Sequence, residues 1–133
     1  MYLLDTNVFS ELFKSGPDAN VLRFLHESEW LLPVPVIAEI QAGAENVKSP
    51  ARRLELNNKI DATIEIYGDF LLDWNAETSR VWGRLQFSDV ARRQPQALWD
   101  SLIDAMAVQG RLIVATRNEK DFRHAKTFNP FAS

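Results

Sequence analysis

The 133-residue sequence contains no cysteine, which excludes a disulfide framework and the common structural zinc sites built on thiolates. It fits a reducing compartment. Histidine is scarce as well: His26 and His124 lie far apart, and neither has a partner at metal-ligand spacing. Glycine is sparse, and the nearest two, Gly68 and Gly83, are fifteen residues apart, so there is no Gly-rich phosphate loop. No G-x-S-x-G elbow appears. No apolar run approaches the ~20 residues that span a bilayer, and Asp5 interrupts the apolar start, so neither a membrane segment nor a signal peptide is expected. The expectation is a soluble, cytoplasmic protein. Basic excess is missing too. A net charge of −3 and a pI near 5.4 count against a constitutive nucleic-acid binder, though not against brief contact through a metal and a local basic rim. What remains is ordinarily globular, 46% hydrophobic and 25% charged, and long enough for one domain over residues 1–133 to bury its own core.

Short apolar runs alternate with longer amphipathic stretches. Strands are expected at Tyr2–Leu4, at "WLLPV", at "FLLDW" and at "LIVAT", with "TFNPF" as a final edge strand. Between them the pattern predicts helices. Asn7 is placed as the cap of a short one over Val8–Phe13, and a second covers about Ala19–Ser28. Pro35 suits the first turn of a third, containing "VIAEIQAGA". Ser49, Pro50 and Gly68 bound the clearest helix of the chain. One more runs from Asn75 to about Arg92, and another from Pro95 to a stop at Gly110. Strands separated by helices predict an α/β fold of three layers, α/β/α, around a central, mostly parallel sheet of four to five strands. Ligands bind such sheets beyond the carboxyl ends of the strands.

That rule draws attention to the acids. Asp5 ends the first strand, where a buried carboxylate is costly without a neutralising partner. Glu39 points off the Val36–Ile40–Ala44 stripe of its helix, beside the small Ala42 and Gly43. Asp100 and Asp104 share one face of a later helix. Converging carboxylates pair with Lys or Arg, hold a proton at raised pKa, or bind a hard divalent cation. An Asp/Glu set without His or Cys suits Mg²⁺ or Mn²⁺, which activates water for attack on a phosphodiester. The plain reading, in which each acid caps a helix or solvates a surface, stands beside it.

Together these segments carry a resemblance. "LLDTNVFSEL", "VIAEIQAG", "DSLIDAMAVQGRLIVATRNEKDF" and "FNPF", in that order over nearly the whole chain, resemble the PIN-domain toxins of the VapC and FitB type. The resemblance implies a single PIN domain and an Mg²⁺-dependent endoribonuclease, the toxin of a type II toxin–antitoxin system. Asp5, Glu39 and Asp100 match the family's acids: Asp5 and Asp100 as metal ligands, with Glu39 at the ion or one step behind it. Thr6 would help hold the metal or a substrate phosphate. At the fourth acidic position the family pattern usually carries Asp or Asn after "TR", and here Asn118 stands there. Asp121 of "KDF" or Asp104 would then supply the missing charge, and one well-held ion is expected. The implied partners are a cognate antitoxin, an RNA substrate, a second copy in a homodimer, and a hetero-oligomer with antitoxin on operator DNA.

Arg117, next to Asn118, is the favoured phosphate-holding residue of a rim that includes Arg52, Arg53, Arg92, Arg93, Arg111, Arg123, His124 and Lys126. Trp30 and Trp99 suit a core, and Trp74 and Trp82 are candidates for a partner or dimer surface. Two other readings compete. A receiver or haloacid-dehalogenase-like phosphatase also ends its first strand on an acid, but the former wants an upstream acidic pair and the latter D-x-D, where this chain has D-T-N. A PIN-like fold that has lost turnover and serves only as a binding partner or scaffold is the non-enzymatic alternative.

Overall fold

The computed structural model describes residues 1–132. Its strands are β1 (Tyr2–Leu4), β2 (Trp30–Pro33), β3 (Leu71–Leu72), β4 (Ile113–Ala115) and β5 (Thr127–Phe128). The helices are α1 (Thr6–Phe9), α2 (Ala19–Glu27), α3 (Val34–Glu45), α4 (Pro50–Tyr67), α5 (Ala76–Leu85), α6 (Asp89–Arg93) and α7 (Leu98–Gly110), with 3₁₀ turns at Ser10–Phe13, Gly68–Phe70 and Glu119–Asp121. All five strands form one sheet in the order β3-β2-β1-β4-β5, and every pairing is parallel. β1 lies at its centre, with Tyr2, Leu3 and Leu4 in register with Ile113, Val114 and Ala115. The expected α/β/α architecture is present, with all five strands rather than four.

Burial explains the composition of the strands. Leu3, Leu4, Leu32, Val114 and Ala115 are fully buried, as expected where helices cover both faces of a parallel sheet. Val8, Phe9, Val36, Ile103 and Met106 close over them from the helices. An aromatic set seals one flank, where the Trp30 ring stacks on Phe70 at 5.1 Å between centroids and both rings meet Tyr67.

Helix boundaries follow local chemistry. Asp18 caps α2 by accepting from the backbone N–H of Asn20 and Val21, and Ser49 caps α4 by accepting from Arg52 N. Three boundaries differ from the sequence expectations. The cap of α1 is Asp5, not Asn7, since its carboxylate accepts from Thr6 N. The long helix expected from Asn75 is two: α5 ends at Leu85, and α6 begins afresh with Ser88 Oγ accepting from Ala91 N. α7 starts at Leu98 rather than Pro95 and ends past Gly110, at Arg111, which takes the left-handed conformation (φ 55°) usually given to glycine. Gly110 is small for another reason: a Cβ there would stand 3.1 Å from Leu112 Cδ1.

Candidate functional site

The parallel sheet places every strand's carboxyl end on one edge, and the acids collect there. Asp5 follows β1 directly and is 5% exposed. Its backbone N–H donates to Ala115 O at 3.0 Å, which ties it to the end of β4. Its carboxylate accepts from Thr6 N at 2.8 Å, from Thr116 Oγ1 at 2.7 Å and from Asn7 Nδ2 at 3.3 Å. None of these donors is a cation. Burial pushes the Asp5 pKa up, the bonds from Thr116 and Thr6 oppose that, and the negative charges of Glu39 and Asp121 push it up again.

Glu39, on α3, accepts the hydroxyl proton of Thr6 in a short hydrogen bond, so Thr6 links the first two acids. Asp100 stands in the first turn of α7, half-buried. Burial is the main cause that lifts its pKa to about 6, followed by repulsion from Asp5, Asp121 and Glu39, with Arg123 pulling weakly the other way. Asp5, Glu39, Asp100 and Asp121 therefore share one electrostatic neighbourhood. Among the described residues none of the four forms an ion pair with Lys, Arg or His. Nor do any three Asp, Glu or His side chains among those residues stand close enough together, as placed, to grip one ion. The donor set itself, all carboxylate oxygen with no counter-cation, fits a hard divalent metal.

Asp104 does not join them. It is 1% exposed and sits one turn further along α7, where both carboxylate oxygens are taken up by the backbone N–H groups of Arg123, His124 and Ala125 and by His124 Nδ1 at 2.9 Å. Of the two candidates for a fourth charge, Asp121 is the one whose charge pushes up the pKa of both Asp5 and Asp100. Asn118 is exposed; its backbone N–H donates to Thr116 Oγ1 at 3.0 Å and its carbonyl accepts from Asp121 N at 3.0 Å. Arg117 donates its backbone N–H to Asn7 Oδ1 at 3.0 Å, and its guanidinium lies 3.8 Å over the Phe131 ring rather than on a carboxylate.

Other rim residues are occupied elsewhere. Arg52 pairs with Glu55 on its own helix, Arg53 holds the carbonyls of Val47 and Lys48, and Arg123 holds those of Lys120, Gln94 and Pro95. The indole N–H of Trp82 donates to Ser101 Oγ and that of Trp74 to Ser79 Oγ, so both bond within the chain. Thr116, which opens the "TRN" run expected at a ligand-binding strand end, was assigned no role from the sequence. It is fully buried, its hydroxyl donates to Asp5, and its place immediately after β4 on the ligand-binding edge was the available signal.

Comparisons with known proteins identify the family and the fold. The chain is 29% identical over 130 residues to the VapC ribonuclease Y4jK of Sinorhizobium fredii, covering 94% of this chain and 92% of that protein. It is 26% identical over 137 residues to Toxin FitB of Neisseria gonorrhoeae, covering 98% and 99% respectively. The crystal structure of FitAcB from Neisseria gonorrhoeae superposes with a TM-score of 0.83 at 23% identity, over 100% of both chains. Residues 2–127, from β1 through the first residue of β5, match the PIN domain, and the chain belongs to that family.

Proposed function

We propose that this protein is the toxin of a toxin–antitoxin pair and acts as a metal-dependent endoribonuclease, with Asp5, Glu39, Asp100 and Asp121 as its reacting centre. The observation that carries the reading is the gathering of these four acids at the strand ends with no ion-pairing partner among the described residues. Asp5 and Asp100 would hold one Mg²⁺ or Mn²⁺ ion, with Glu39 and Asp121 beside them. Such an ion, when bound, offsets charge on a phosphodiester and lowers the pKa of water. The chain's own groups do the rest. Thr116 and Thr6 fix the Asp5 carboxylate in one orientation, and Thr6 also aligns Glu39. Glu39 or Asp5 orients the attacking water. The Asn7 side chain ties Asp5 to the backbone at Arg117, whose guanidinium is available to an RNA phosphate once it leaves Phe131.

The name of the Sinorhizobium relative, a ribonuclease, and that of the Neisseria relative, a toxin, support the reading. An antitoxin has a place to dock. An open groove of about 260 Å³ between the turn after α1 and α4 is lined by Phe9, Leu12, Phe13, Ala62, Ile66 and Tyr67, and suits an apolar helix. We assign RNA as substrate, with homodimer formation and assembly with antitoxin on operator DNA as further parts of the same proposal.

Calorimetric titration with Mn²⁺ tests it, wild type against the Asp5→Asn, Asp100→Asn double variant. Binding near one ion per chain that disappears in the variant, together with RNA cleavage lost in parallel, is expected. Equal weak binding in both proteins would reject the metal site, and a binding-only role would replace catalysis.

A further inference from the structure

One turn beyond Asp100 on α7, Asp104 anchors a second polar cluster that the proposed chemistry does not use. Asp104 takes four donors: the backbone N–H of Arg123 (3.4 Å), His124 (3.2 Å) and Ala125 (2.9 Å), and His124 Nδ1 (2.9 Å). On its far side, His124 Nε2 lies 2.8 Å from Ser88 Oγ, the cap of α6. The order Ser88–His124–Asp104 is that of a serine-hydrolase relay, and Ser88 Oγ also caps α6 by accepting the Ala91 N–H at 3.1 Å. A buried carboxylate that captures three successive backbone N–H groups does something else well. It fixes the path of the chain that carries them.

That chain segment begins just after Asp121. The carbonyl of Asp121 accepts from Gln96 Nε2 at 2.8 Å, and the guanidinium of Arg123 binds the carbonyls of Gln94 and Pro95. The stretch around Asp121 is thus fastened twice, to the lead-in of α7 and to Asp104 in its second turn. Asp100 projects from the same helix, one turn before Asp104. The spacing of Asp121 from Asp100 is set by α7 and the residues that lead into it.

We propose that Asp104 is a positioning residue: its carboxylate anchors the 123–125 backbone so that Asp121 is held beside Asp100, and His124 and Ser88 extend that anchor to α6. The inference rests on the metal-site reading above and names what sets its geometry. Asp104 touches neither ion nor RNA.

The test compares wild type with Asp104→Asn, Asp121→Ala and the double variant, by Mn²⁺ calorimetry well below the melting temperature and by amide hydrogen exchange without metal. Asp104→Asn should weaken Mn²⁺ binding about tenfold, as loss of groups that orient metal ligands does. In the Asp121→Ala background it should change affinity little, because the residue through which it acts is gone. In metal-free protein the amides of Asp121 and residues 123–125 should lose protection while those of β1 and β4 keep it. Wild-type affinity in a folded Asp104→Asn, or a full additional loss in the double variant, would overturn the proposal. If wild type binds no Mn²⁺, the metal reading fails instead, and the Asp121 amide decides the anchor: unchanged protection rejects it. Should Asp104→Asn not fold, His124→Gln carries the same comparison, with a smaller loss expected. Labelling of Ser88 by a fluorophosphonate would overturn the positional reading in favour of a nucleophilic one.

Discussion

Asp100 and Asp104 occupy one helix, four residues apart, and meet opposite fates. Asp100 faces other carboxylates, has no ion-pair partner among the described residues, and keeps a pKa pushed up to about 6. Asp104 faces backbone N–H groups and a histidine, and every oxygen is engaged. Residue type and helical phase are nearly the same, so the difference comes from what the rest of the chain brings to each turn of α7. At the first turn the carboxylate faces repulsion from other acids; at the second it is saturated with donors. A carboxylate that is stabilised stops being reactive, and one held ready for chemistry costs the fold stability.

The contrast breaks most visibly in catalysis. Asp100→Asn should lower RNA cleavage by about 10²- to 10³-fold, the scale seen when a group that stabilises transition-state charge is removed, while the melting temperature holds or rises. Asp104→Ala should act mainly on stability, because it strands four buried donors. A loss of about 3 kcal/mol is expected, or roughly 10 °C in melting temperature by scanning calorimetry.

The next test concerns pH. Since the folded protein holds the Asp100 proton more tightly than the unfolded chain does, this group makes stability fall as pH rises from about 4 to about 6, with no further change above. Asp5, also raised, works in the same direction. Melting curves of metal-free protein should show the decline, Asp100→Asn should flatten it, and added Mn²⁺ should reverse it above pH 6. The smallest effect concerns Ser101, which sits on α7 between the two acids and receives the Trp82 N–H at 3.0 Å. Trp82→Phe should cost about 1 kcal/mol of stability and leave cleavage at wild-type rate.

The sheet was readable because buried parallel strands announce themselves as apolar runs, and Asp5 stood out as a charge at the end of one. Glu39 and Asp100 followed from helical phase. Asp121 was one of several acids that sequence could not rank, since its side is decided by contacts reaching back to Gln96 and Asp104. Asp104 itself was misplaced by the same phase argument that found Asp100: being on one helical face says nothing about which neighbour covers each turn. The Ser88–His124–Asp104 chain joins residues 36 and 20 positions apart, beyond any local pattern. The break between α5 and α6 was missed because no Pro or Gly marks it; a serine cap alone starts the new helix.

The central strand has a consequence for synthesis. β1 emerges from the ribosome first, yet the hydroxyl that orients Asp5 lies 111 residues downstream, immediately after β4. At about 5–20 residues per second, a nascent chain carries an exposed, solvated Asp5 for on the order of ten seconds before that partner is made. The acidic centre thus assembles only after β4 has been made. A ribosome-bound fragment ending before β4 would have most of the helices and no organised centre, so any harm this protein does to its host waits until β4 and Thr116 have been made.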